Sequence, residues 1–256
     1  MENKKIVMLA GESVLTDAIY NSINASYGIH TVIIEKGESK KVFLKRRIKR
    51  LGLWTVMGQI AFQLFIVKPL NLLSKKRRAE IIKQNNINID PVPESKIIRV
   101  SSANSASAIQ HLKDLNPDLV IVNATRILSK KVLRAIPAPF INTHFGITPM
   151  YRGVHGTYWA LVNKDVANSG VTVHFVDEGI DTGNIINSIQ VIPTTKDNFT
   201  TYPFLQLAAG IKILCGAVKD IFENNTRIKV SAGESGLWYH PTIWKYVYQR
   251  IVNKVK

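Results

Sequence analysis

Hydrophobic residues fall along this chain in short runs separated by amphipathic stretches, the rhythm of buried strands alternating with helices. Residues 5–10 (KIVMLA) form a nearly unbroken apolar run and read as a strand covered on both faces. Gly11, Glu12 and Ser13 interrupt it, and Ser13 suits the cap of a helix reaching about Ser26. Further strands are expected at 30–34, 97–100, 119–122, 140–141, 171–175 and 184–191. Helices are expected from a cap at Asn104 to Leu115, over 129–135, over 156–163 and, longest, over 199–224. Strands alternating with helices, without hairpin turns, imply an α/β class with a Rossmann-like, mostly parallel sheet. Ligands of such sheets gather at the carboxyl ends of strands. Residues 123–128 and 142–144 fall there.

One segment breaks the rhythm. Residues 40–83 hold 13 Lys and Arg against a single acid, Glu80, so +12 of the chain's +16 net charge sits there and the remainder carries +4. Between its basic clusters lies an apolar run, 51–67, interrupted by Gly52, Thr55, Gly58, Gln59 and Gln63. That is short and polar for a membrane span, which needs roughly 20 mostly apolar residues. At helical spacing Leu53, Met57, Ile60, Leu64 and Val67 share a face, flanked by Trp54 and Phe65. Three readings fit this insert: a helix packed on the body with a solvated basic rim, a surface helix on an anionic membrane, or a nucleic-acid patch. Few aromatics stand among the basic residues, which weakens the last.

The composition, 46% hydrophobic and 20% charged, excludes a largely disordered chain. The 256 residues suit one domain with a small appendage, here a body over 1–225 and a C-terminal extension over 226–256. The extension holds Trp238, Tyr239, Trp244, Tyr246 and Tyr248 and reads as a closing flap or as the contact of a homodimer. The single Cys215 precludes an intramolecular disulfide, and no signal peptide is visible before the first strand, so a cytoplasmic protein is expected.

The chemistry centres on Asn142-Thr143-His144. Residues two apart on a strand project from one face, so Asn142 and His144 are neighbours. An amide donor can stabilise a carbonyl oxygen as it gains negative charge; an imidazole beside it can share that role and deliver a proton. Asp181 lies in a glycine-flanked loop, 176–183, able to approach closely. A carboxylate beside His144 would raise the pKa of the ring and hold it charged, and could take the proton of an attacking amine. The pattern is that of acyl transfer to an amine. The His-Glu-x-x-His and Cys-x-x-Cys spacings are missing, so no metal is called for. The lack of a G-x-S-x-G turn disfavours a serine hydrolase. His174, within an apolar strand, reads as a satisfied core histidine. His155 has a weaker claim to substrate contact, and His30, His111 and His240 carry no argument. Gly11 and Ser13 form either an ordinary βα turn or a pair of amides holding a substrate phosphate.

Taken together, 173–183 (VHFVDEGIDTG) resembles the signature loop of the folate-dependent formyltransferases. Residues 141–144 (INTH) sit at the matching distance upstream, and 126–129 (RILS) is similar to that family's pterin-contact loop. The resemblance is specific over 119–186 and looser from Lys5. It implies 10-formyltetrahydrofolate as donor and Asn142, His144 and Asp181 as the catalytic trio. It also implies a pterin cradle of Arg126, Ile127, Leu128, Val176, Asp177 and Gly179. The acceptor is expected against Phe145, Gly146, Arg152 and Gly153, with Gly11 and Ser13 near any phosphate it carries. The family usually follows its histidine with Pro-Ser-Leu-Leu-Pro; here 145–149 reads FGITP. Pro149, 151–153 and 158–159 look more like the tRNA and sugar members than the purine enzyme, while the stretch after Asn225 is too small for the barrel domain of the tRNA enzymes. The expected acceptor is therefore an amino sugar, nucleotide-linked, for surface-polysaccharide synthesis, with the basic insert suiting a peripheral position at the inner membrane. The alternatives are formyl transfer to tRNA or another amine, hydrolysis of the formyl-folate, and a non-catalytic membrane or nucleic-acid binding module. Retention of all three polar residues argues against the last.

Overall fold

The structure, a computed structural model, describes residues 4–230 and 233–256. The chain begins with β1 (Ile6–Gly11), α1 (Val14–Tyr27) and β2 (Thr31–Glu35). The basic segment then forms α2 (Lys40–Leu51), α3 (Leu53–Phe62), a π turn at Gln63–Val67, α4 (Lys68–Leu73) and α5 (Lys75–Gln84). The α/β rhythm resumes with β3 (Ile97–Val100), α6 (Ala106–Leu115), β4 (Leu119–Asn123), α7 (Lys130–Leu133) and β5 (Phe140–His144). After it come β6 (Arg152–Gly153), α8 (Gly156–Val162), β7 (Gly170–Phe175), β8 (Ile185–Gln190), α9 (Tyr202–Phe222), β9 (Leu237–Trp238) and α10 (Ile243–Val252).

Seven strands form one sheet in the order β3-β2-β1-β4-β5-β7-β8. The first five run parallel, and β7 is antiparallel to both β5 and β8. β1 is central because it is apolar on both sides: Ile6, Met8 and Ala10 enter the core under α1 and α9, whereas Val7 and Leu9 enter the one under α6 and α7. The chain leaves β1 toward β2 and β3 and returns to β4 on the other side. The strand order therefore reverses between β1 and β4.

Local chemistry adjusts several expected features. The cap of α6 is Ser105, whose side chain accepts the Ala108 amide. Asn104 instead ties down the next strand end, donating to the Ile127 carbonyl and accepting the Ser129 amide. Ser13 does cap α1, accepting the Thr16 amide, while the Thr16 hydroxyl donates to the Gly11 carbonyl.

A third, aromatic core joins the insert and the tail to the body. Phe62 of α3, Tyr158 and Trp159 of α8, Phe199, Tyr202 and Tyr246 of α10 are all buried there. The insert thus packs through Val56, Gly58, Gln59 and Phe62. The apolar face read from the periodicity turns outward: Leu53, Met57, Ile60 and Leu64 are exposed, with Trp54 and Phe65 beside them. The periodicity is present, but Phe62, a larger ring on the opposite side of the helix, takes the core position. The expectation of a run too short and polar to span a membrane is also revised. Leu53–Leu73 is a continuous helical stretch of 21 residues whose most apolar 18-residue window has mean hydropathy 1.4, long and apolar enough to cross one by length and composition. The tail packs on the body: β9 pairs with β6 and α10 packs on α3.

Insert and tail also meet through histidines. Arg47 donates to the Gln59 side chain, and Gln59 donates to the His240 carbonyl. The His240 ring lies 2.8 Å from His155 Nε2, and His155 packs on Phe199. Burial lowers both rings, helped by the Arg47 charge, His155 well below the ordinary value and His240 to about 4. A histidine whose folded pKa is depressed stabilises the fold above its unfolded value, and that contribution is lost as pH falls. Stability should therefore drop between about pH 6.5 and 4, by at most about 1.4 kcal/mol per pH unit for each ring. Thermal melts across this window should show a shallower slope for His240→Gln than for the parent chain. Equal slopes would contradict this account.

Candidate active site

The carboxyl end of β5 sets the site. Asn142 stands opposite His174 of the antiparallel β7, and His144 opposite Thr172, so strand pairing alone places Asn142, His144 and His174 on one sheet face. The Asn142 amide nitrogen lies 3.3 Å from His174 Nε2. The loop between β7 and β8 then delivers Asp181. Gly183 allows its return, since a side chain there would meet the Phe175 carbonyl oxygen at 1.7 Å. Asp177 holds the turn by accepting the Gly179 amide and the Thr182 hydroxyl. Asp181 itself takes a left-handed backbone conformation, φ 52°. Its Oδ2 lies 3.4 Å from His144 Nδ1 and accepts the Gly153 amide at 2.9 Å; its Oδ1 is 3.7 Å from His174 Nε2.

These contacts decide the charge state. Burial works against an ionised Asp181, but His174, His144 and the Gly153 amide outweigh it and hold the carboxyl down to about 2. For His144 the dominant influence is burial, which lowers the ring below its ordinary value against the upward pull of Asp181 and of the Tyr151 carbonyl. The expectation of a permanently charged His144 fails for that reason: desolvation exceeds the attraction of one carboxylate. His144 Nε2 sits 2.7 Å from the Tyr151 carbonyl oxygen, which only accepts, so Nε2 carries the proton of the neutral ring. Nδ1 is left bare beside Asp181. The Nε2–H is thereby committed to Tyr151, and Asn142 remains as the amide donor facing the cavity.

That cavity, about 440 Å³, runs across the ends of β4 and β5. Its lining includes every residue expected at the pterin: Arg126, Ile127, Leu128, Val176, Asp177 and Gly179. Asn142, His144, His174 and Asp181 form its polar end. Glu35, buried at the end of β2, shapes the wall by accepting the amides of Ala103 and Arg126. Of the residues expected at the acceptor, Phe145 and Gly153 line the cavity, whereas Gly11, Ser13, Gly146 and Arg152 do not. Gly146 is a packing position, where a side chain would meet the Tyr151 carbonyl at 2.2 Å and His144 Nε2 at 2.8 Å. Gly11 likewise backs onto the Ala124 carbonyl. Ser13 is engaged in its cap, and the acids Glu12 and Asp17 beside it oppose a phosphate there. Arg152 reaches the loop, donating to the Ile180 carbonyl.

Sequence reasoning underestimated His174. It is buried and bonded, Nδ1 lying 2.7 Å from the Phe175 carbonyl, yet its other nitrogen faces Asn142 and Asp181. Its place opposite Asn142 comes from the pairing of β7 with β5, which alternation along either strand does not reveal.

The comparisons with known proteins bear on the family and the fold. The family model described as formyl transferase matches residues 67–203, which contain the whole polar end of the cavity. The methionyl-tRNA formyltransferase of Methylacidiphilum infernorum (isolate V4) is 33% identical over 126 residues, 49% of this chain and 39% of that protein. The matched stretch is thus well under half of that relative's length. A sugar N-formyltransferase from Shewanella sp FDAARGOS_354 superposes with a TM-score of 0.58 at 14% identity, covering 92% of this chain and 76% of that one. The N-formyltransferase from Helicobacter canadensis, solved with folinic acid and dTDP-3-aminofucose, gives a TM-score of 0.53 at 18% identity, covering 91% and 70%. These two likenesses are of fold. The family model spans more than half of the sequence and the site within it, and the chain belongs to the formyl transferase family.

Proposed function

We propose that this protein transfers a formyl group from 10-formyltetrahydrofolate to the amine of a nucleotide-linked amino sugar. The observation that carries the reading is the convergence of Asn142, His144 and Asp181 at the polar end of a cavity whose remaining wall is largely apolar. Val122, Leu128, Val176 and Ile180 suit a flat heterocycle, and Ile127, exposed at the rim, suits a ring laid across the mouth. Arg126, Ile127, Leu128, Val176, Asp177 and Gly179 would hold the folate. When bound, the donor supplies an electrophilic formyl carbon.

The protein's own groups supply the rest. Asn142 directs an amide N–H at the carbonyl oxygen, where negative charge grows as the amine attacks. His144 Nδ1, bare in the neutral ring, accepts the amine's proton, the ionised Asp181 at 3.4 Å stabilises the resulting imidazolium, and the imidazolium returns that proton to the departing folate nitrogen as its bond to the formyl carbon breaks. Asp181 is also held by the Gly153 amide, so donor loop and acceptor strand are set by one carboxylate.

The ligands named for the Helicobacter canadensis protein support an amino-sugar nucleotide. The methionyl-tRNA formyltransferase relative supports the second reading, formylation of an aminoacyl-tRNA. Incubation with the formyl-folate and a panel of dTDP- and UDP-amino sugars should add one formyl mass to at least one of them. Formylation of methionyl-tRNA alone would establish the second reading, and tetrahydrofolate release without any amine would replace both with hydrolysis.

Asn142→Ala should lower kcat about 10²–10³-fold, the effect of losing one oxyanion donor, while the far-ultraviolet spectrum stays unchanged. Near-normal turnover would remove Asn142 from the chemistry. The neutral His144 is checked separately. Its ring should titrate below 6.5 by NMR, and lower still in Asp181→Asn, because the carboxylate is the main group favouring its proton. A ring titrating above 6.5 would overturn its assignment as the base.

A further inference from the structure

The basic segment and the tail, distant in sequence, build a single surface. α10 lies against α3, with the Trp244 ring so close that a side chain at Gly58 would meet it at 2.3 Å. Farther along the seam, Phe65 and Leu73 face Val247 across a trough edged by Lys196, Arg250 and Lys256. The outward faces of both helices are apolar. Trp54 is 76% exposed, Phe65 68%, Leu72 77%, Leu73 80% and Ile251 72%, with Trp244 and Val252 also more than half exposed. Scattered exposed apolar residues are ordinary, but a contiguous patch of this kind marks an interaction surface.

The charge distribution identifies what covers it. Residues 40–83 carry a net +12, and residues 243–256 hold four Lys and Arg and no acid. Together they account for the full +16, so the rest of the protein is neutral as a whole. All the excess charge thus lies on the elements that build or border the apolar patch. Lys40, Lys41, Lys45, Lys49, Lys75 and Lys76 are all exposed. A second copy of the chain is a poor occupant, because a face-to-face contact would bring two such belts together. A nucleic acid would meet the charges but leave Leu72, Leu73 and Ile251 in water. A bilayer surface with anionic headgroups satisfies both features.

We infer that α3–α4 and α10 form a docking face that lies in the interface of an anionic lipid bilayer, with the basic residues of α2, α5 and α10 against the headgroups. Trp54 and Trp244 are placed as interfacial anchors, their rings combining an apolar body with a polar N–H. The helical stretch rests on the surface instead of crossing, because crossing would withdraw Phe62, Ile66 and Leu70 from the aromatic core that also holds α8 and α10. The inference is independent of the reaction catalysed.

Flotation of the full chain with vesicles tests it. Binding is expected to vesicles of phosphatidylcholine with phosphatidylglycerol, with a blue shift of tryptophan fluorescence, and should be much weaker to phosphatidylcholine alone. The variant Phe65→Ser/Leu72→Ser/Leu73→Ser, confined to exposed positions, should lose at least about tenfold in partition coefficient while circular dichroism and melting stay unchanged. Lys45→Glu/Lys75→Glu/Lys76→Glu should remove the preference for anionic lipid. Equal binding by parent and both variants, or none by the parent, would overturn the docking face. Resistance of the vesicle-bound protein to alkaline carbonate would replace it with a membrane span. A dimer in lipid-free solution that the serine variant dissociates would assign the face to a second copy.

Discussion

A largely buried carboxylate has to find compensation, and the architecture around Asp181 provides it from three directions. β5 contributes His144, β7 contributes His174, and β6 contributes the Gly153 amide. Of these elements only β7 is adjacent in the chain to the loop that carries Asp181. The antiparallel run of β7 puts residue 174 in register with 142, and the loop that leaves β7 beside Ile141 folds back to bring Asp181 to His144. Removing any one partner would leave charge in a poorly solvated position, which is why so much local backbone is fitted to it: the positive φ of Asp181, the turn closed by Asp177, the glycine at 183.

The same carboxylate gives the site a defined proton inventory. Desolvation leaves His144 neutral, while three favourable contacts keep Asp181 ionised. A neutral base beside a fixed anion is ready to receive a proton and to stabilise the cation that results. The Tyr151 carbonyl fixes which nitrogen receives it. Gly146 and Gly156 make that contact attainable, because side chains at either would collide with backbone of this strand-end turn.

The insert and the tail extend this design without entering the cavity. Their aromatic core continues into α8, and β9 is hydrogen-bonded to β6, the strand whose Gly153 amide holds Asp181. The surface that carries the excess positive charge is therefore joined to the site by a few short elements, with His155 and His240 at the junction.

By itself the sequence determined the class of fold, because the apolar runs at β1, β4 and β7 admit no arrangement other than strands buried in a sheet. It also brought out Asn142, His144 and the glycine-flanked Asp181, since strand alternation and glycine spacing are local properties. Tertiary structure alone decided the role of His174, the neutral state of His144 and the outward turn of Leu53, Met57, Ile60 and Leu64. Each depends on what lies across space: an antiparallel neighbour, the loss of solvent, or a competing ring such as Phe62. Periodicity shows that a helix has two faces; only the packing of distant elements chooses which of them meets water.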